Sequence, residues 1–116
     1  MISEVRKYLL KDAEFVDIPI YLLQKPSENE HDHYIIYRYK LLSGGAIKDY
    51  QVTFRVISKD LVKLKSLSNK VVELLDQYRE NEIPGIHHCS LLNGGGMAYN
   101  ESAGHYESVL YFLIKL

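Results

Sequence analysis

Residues 85–106, GIHHCSLLNGGGMAYNESAGHY, gather the side chains best suited to chemistry. They hold three of the five histidines (His87, His88 and His105), the only cysteine, Cys89, and the run Gly94, Gly95, Gly96. Catalytic zinc normally takes three protein ligands. Adjacent residues of a strand point to opposite faces, so His87 and His88 could not share an ion if that segment is extended. A site would need His105, or the tract His31, Asp32, His33, folded beside one of them with Glu101 or Asp32 as carboxylate. The simpler reading is histidines at strand ends, and no metal ligand is assigned.

A nucleophilic cysteine needs a base within hydrogen-bond reach. His87 is two residues from Cys89, about 7 Å along a strand, too far for direct proton transfer. A single cysteine in an apolar strand is usually a small core residue. The glycine run lacks the Lys-Ser/Thr that completes a phosphate loop, and MAYNESAGHY after it heads into a strand rather than a helix. Those glycines are expected in a turn or loop between strands, with Asn100 and Gly104 reversing the chain. No catalytic residue, cofactor or nucleotide is expected. One basic cluster remains: Arg38 and Lys40 stand among Tyr34, Tyr37 and Tyr39, with Arg55 nearby, a pattern that nucleic-acid sheet surfaces share.

The elements that position these residues follow from periodicity. Ile2, Val5, Tyr8 and Leu9 recur at helical spacing, with Ser3 placed to cap. DIPIYLLQKP reads as an edge strand bounded by Pro19 and Pro26. HYIIYRYKLL and DYQVTFRVIS are strands joined by SGGAIK, an antiparallel hairpin. From Ser58 to about Tyr78 the period becomes helical, with Leu61, Leu64, Leu67, Val71, Leu74, Leu75 and Tyr78 on one stripe. Ser58 and Asp60 mark the start and ENEIPG the stop. GIHHCSLL and GHYESVLYFLIKL are two further strands, the last apolar on both sides, as a central strand or an oligomer contact would be. The fold class is therefore α+β: a mostly antiparallel sheet of about five strands with helices on one face, in the order α-β-β-β-α-β-β.

Composition narrows the function. A chain of 116 residues with 47% hydrophobic side chains suits one domain spanning 1–116. With 14 basic and 15 acidic residues well mixed, no overall field draws it to nucleic acid or an anionic membrane. The first residues, MISEVRKYLLKDAEF, lack the apolar run of a signal peptide or spanning helix, so a cytosolic site of synthesis is expected. Ten tyrosines without tryptophan suit half-buried faces and protein interfaces. Two helices can cover one sheet face, so Tyr34, Ile36, Tyr111 and Leu113 on the other are expected to meet a partner, and self-association is the simplest one.

In this order of elements the chain resembles the tail completion, or tail terminator, family of long-tailed bacteriophages, which includes tail-to-head joining proteins. The likeness covers nearly the whole chain, from the N-terminal helix through DIPIYLLQKP and HYIIYRYKLLSG to the end. Its most telling parts are the strand that runs into a helix through RVISKDLVKL and the turn YNESAGHY before the terminal strand. The resemblance implies a non-enzymatic virion protein, assembled in the host cytoplasm. It implies a hexameric ring at the head-proximal end of the tail tube, built from subunits that can be monomeric in solution. The implied partners are other copies, the tail tube protein and a head-tail connector, with DNA only in transit and no membrane. On this picture Tyr34, Ile36, Tyr111, Leu113 and Gly94 to Gly96 contact partners, and Arg38, Lys40 and Arg55 line a channel. A head-side connector or adaptor is an alternative within the class. Outside it stand a small metal-binding regulator, which metal would stabilise against heat, and a nucleic-acid module, whose binding would fall steeply with salt.

Overall fold

The computed structural model describes residues 2–12, 15, 18–23, 32–43, 49–76, 86 and 88–115. The connector SGGAIK beyond Ser43, the helix stop ENEIPG, and Pro26, His31, Tyr78 and His87 lie outside these residues.

The order is α1 (Ile2–Leu10), β1 (Ile20–Leu22), β2 (His33–Ser43), β3 (Asp49–Ser58), α2 (Leu61–Asp76), β4 (His88–Asn100) and β5 (His105–Lys115). The five strands form one sheet in the spatial order β1-β2-β3-β5-β4. Every pairing is antiparallel except that of β1, which runs parallel to β2 at the sheet edge. This is the α+β sheet expected from the sequence. Strand β5, apolar on both faces, is an interior strand paired with β3 on one side and β4 on the other.

One face carries both helices. Val5 and Leu9 of α1 and Leu64, Leu67, Val71 and Leu75 of α2 pack on Ile35, Tyr37, Val52, Phe54, Val56, Phe112 and Ile114. Helical spacing places the α2 residues on a single stripe that can be buried only against an apolar surface, and the alternation of β2, β3 and β5 supplies one. Phe54 and Phe112 meet edge-on at the centre, with ring centroids 5.7 Å apart.

The start of α2 is built from side chains that bond to backbone. The Asp60 carboxylate accepts the Val62 N–H at 2.9 Å, which makes Asp60 the N-cap, and Ser58 Oγ accepts the Asp60 N–H at 3.0 Å. Leu61 departs from the expected stripe. It is exposed in the first turn, while Ser68 takes a buried place further along. Helix α1 begins at Ile2, so Ser3 lies in its first turn rather than before it. At the other end of α2, Asp76 accepts the Leu91 N–H at 2.8 Å and ties the helix to β4.

The glycine run is not a connection. Strand β4 continues through Gly94, Gly95 and Gly96 to Asn100, and the chain reverses only over residues 101–104. Register shifts at Leu91/Asn93 and Gly94/Gly96 mark bulges, and Gly96 takes a φ of +85° that side chains disfavour. Bulges are at home in an edge strand, where only one side is paired. The reversal itself is as expected: the Gly104 N–H reaches the Asn100 carbonyl at 2.8 Å, and Gly104 has a φ of +70°.

Candidate functional site

The outer sheet face, opposite the helices, brings the basic residues together. Register sets Ile36 beside Arg55 and Val109, Arg38 beside Thr53 and Tyr111, and Lys40 beside Gln51 and Leu113. Directly paired residues share a face, so Arg38, Lys40, Arg55, Tyr111 and Leu113 all stand on one surface. Arg38 and Lys40 are exposed and line a shallow cleft with Gln51 and Thr53.

Arg55 differs from the other two cations. Its guanidinium donates to Glu107 Oε1 at 2.9 Å, and His105 Nε2 lies 2.9 Å from the same oxygen. Burial alone would raise the Glu107 pKa, but hydrogen bonds from His105 and Arg55, and their charges, outweigh it and hold the carboxyl below its ordinary value of 4.5. A depressed carboxylate pKa means stability that is present above the unfolded value and is lost as pH falls through the folded one. Glu107→Gln is therefore expected to cost stability at pH 6, with the gap to wild type closing as urea unfolding is repeated at pH values below 4.5. A gap that stays constant with pH would contradict this role.

Tyr34 and Ile36 are not bare. They are only 5% and 8% exposed, in a second apolar cluster with Ile57 against which Tyr21 packs. Their apolarity has a partner within the chain. Tyr111 and Leu113 are half-buried on the interior strand β5. Gly94 and Gly96 are exposed on β4, where an added Cβ would meet nothing within 4 Å.

The histidine-rich end separates into independent parts. The described histidines His33, His88 and His105 each begin a strand. His33 Nδ1 lies 2.6 Å from Ser58 Oγ, and His105 faces Glu107. Cys89 is a core residue, 2% exposed, whose thiol pKa is pushed up to about 12, first by burial and then by the nearby Asp76 charge. Among the described residues no three His, Cys, Asp or Glu side chains are grouped as metal ligands would be.

Glu107, the partner of Arg55, was not singled out by the sequence, because only the β3–β5 register brings the two together. Tyr39, Leu41, Met97 and Tyr99 were also missed. All four are about half exposed on the helix-bearing face; Tyr39 and Leu41 lie in a run expected as a strand, and Met97 and Tyr99 in a stretch expected as a connection.

No family model matches the chain, and no curated protein matches it. Sixteen chains of solved structures do. One belongs to a structure described as the virion of a native gene transfer agent particle: the TM-score is 0.72 at 15% identity, over 96% of this chain and 90% of that one. At this identity the likeness is one of fold.

Proposed function

We propose that this chain is a structural subunit of a phage-like virion. It forms a ring at the head-proximal end of the tail tube, ends tube growth and enables the tail to join the head. The observation that carries the reading is the fold likeness to a chain of a gene transfer agent virion, which spans nearly all of both chains. Two features support it: the described functional-group clusters have structural partners, and apolar side chains stand exposed at both ends of the sheet. The role is assembly, with no reaction catalysed. The neighbours are further copies, the tube protein and a head connector.

In such a ring Arg38 and Lys40, exposed and without an ion pair among the described residues, face the channel that DNA crosses. Arg55 contributes less, since Glu107 already neutralises it. Virions carrying Arg38→Ala with Lys40→Ala are expected to assemble but to deliver DNA less efficiently; normal delivery would remove the channel role. Antibody labelling of intact particles tests the location. Label should fall at the neck, and label confined to the capsid shell or the tail tip would contradict the proposal.

A further inference from the structure

The joint between the sheet and the start of α2 turns on one hydroxyl. Ser58, the last residue of β3, pairs in the ladder with His33, the first residue of β2, and is 0% exposed. Three polar atoms stand at hydrogen-bond distance from its Oγ: His33 Nδ1 at 2.6 Å, the Asp60 carbonyl at 2.9 Å and the Asp60 N–H at 3.0 Å. A second tie runs alongside, in which the Lys59 N–H donates to the Asp32 carbonyl at 3.2 Å.

A hydroxyl has one proton to give and two lone pairs with which to receive. The Asp60 carbonyl can only accept, so it takes the proton. The Asp60 N–H can only donate, so it fills one lone pair. One lone pair is left for His33, and Nδ1 can fill it only by carrying a hydrogen. The opposite assignment, in which the hydroxyl donates to a bare Nδ1, turns the Asp60 carbonyl contact into two facing acceptors. Burial favours the arrangement that uses all of the oxygen's capacity, because a polar contact left unmade there is costly.

We infer that His33 holds a hydrogen on Nδ1 in both of its charge states, as a fixed donor that ties the start of β2 to the start of α2. Neutral His33 is then the Nδ1–H tautomer, and Nε2 is the nitrogen that gains and loses a proton. Titration of His33 changes its charge without opening the joint. The charged groups around it are Asp32 and Lys59, which pair at 3.2 Å, and Asp60, whose carboxylate receives the Val62 N–H. None of these bonds uses Nε2. The benefit falls on the first turn of α2, where the Asp60 carbonyl also receives the Leu64 N–H at 2.9 Å. A bond at Ser58 that broke with pH would fray this turn, and a donor present in both charge states prevents it.

Nuclear magnetic resonance of the full chain, uniformly labelled with nitrogen-15, reads the ring directly. Protonated and bare ring nitrogens resonate far apart, and the signals lost in His33→Gln assign His33 among the five histidines. At a pH where His33 is neutral, Nδ1 is expected to show the protonated type of shift and Nε2 the bare type. On acidification Nε2 alone should change type. Across that titration, exchange of the Asp60 and Val62 amides, corrected for its intrinsic pH dependence, should stay within about threefold.

Neutral His33 with its hydrogen on Nε2 would overturn the inference. A loss of amide protection of about tenfold or more between the two charge states would overturn it equally. Ser58→Ala removes the acceptor and gives a second reading. His33 should then go over to the Nε2–H form that an unconstrained imidazole side chain prefers, and the Asp60 amide should exchange about tenfold faster. A ring that keeps its hydrogen on Nδ1 in this variant would show that Ser58 does not set the tautomer, and would also overturn the inference. Should the variant fail to fold, the wild-type spectra decide alone.

Discussion

Phe112→Ala is expected to lower the free energy of unfolding by about 3–5 kcal/mol, the range for removing a fully buried aromatic ring. Phe112 is 0% exposed on the interior strand β5, beside Val52 and Leu91 in the ladder and edge-on to Phe54. Sheet order makes collapse around the vacancy difficult. Strands β3 and β4 hold β5 in place from both sides, so the backbone cannot move in to refill the space. Since small domains are stable by only about 5–15 kcal/mol, the variant should sit close to its unfolding threshold. Urea denaturation followed by circular dichroism measures the loss. A cost below about 1 kcal/mol would mean that the core is not organised around this ring.

Ile36→Ala separates two accounts of the outer face. If Ile36 served only a partner, the isolated subunit would tolerate its loss, as exposed positions usually do within about 0.5 kcal/mol. The structure instead buries it with Tyr34 and Ile57. A loss of about 2–4 kcal/mol is expected for the purified protein under conditions where it is monomeric. Tyr99→Ala, at a half-exposed corner, is the control and should change stability little. Equal, small effects for the two would return Ile36 to the free surface.

Much of the fold could be read from periodicity. Strands β2, β3 and β5 alternate and α2 repeats at helical spacing, because each element must present one coherent face to a shared core. The parallel pairing of β1 and the insertion of β5 between β3 and β4 are long-range choices that leave no local pattern. The glycine run misled for a related reason. Consecutive glycines favour a turn, but an edge strand, paired on one side only, accommodates them as bulges.

The candidate site was legible in part. That Arg38, Lys40 and Arg55 share a face follows from alternation and the hairpin, whereas the neutralisation of Arg55 depends on Glu107, which comes from a strand 52 residues away. The surplus of apolar residues on the outer face was visible, but its cause was not. Tyr34 and Ile36 pack within the chain, and the exposed apolar surface lies at corners that the helices fail to reach. Where a helix stops covering a sheet depends on its crossing direction, which residue spacing does not encode.

Electron microscopy of lysates from a phage lacking this gene tests the central claim most directly. The account predicts tails of uncontrolled length, unattached to DNA-filled heads, with the defect repaired when the protein is supplied in trans. Tails of normal length left unattached would assign joining without termination. Intact, infectious virions would contradict the structural role altogether.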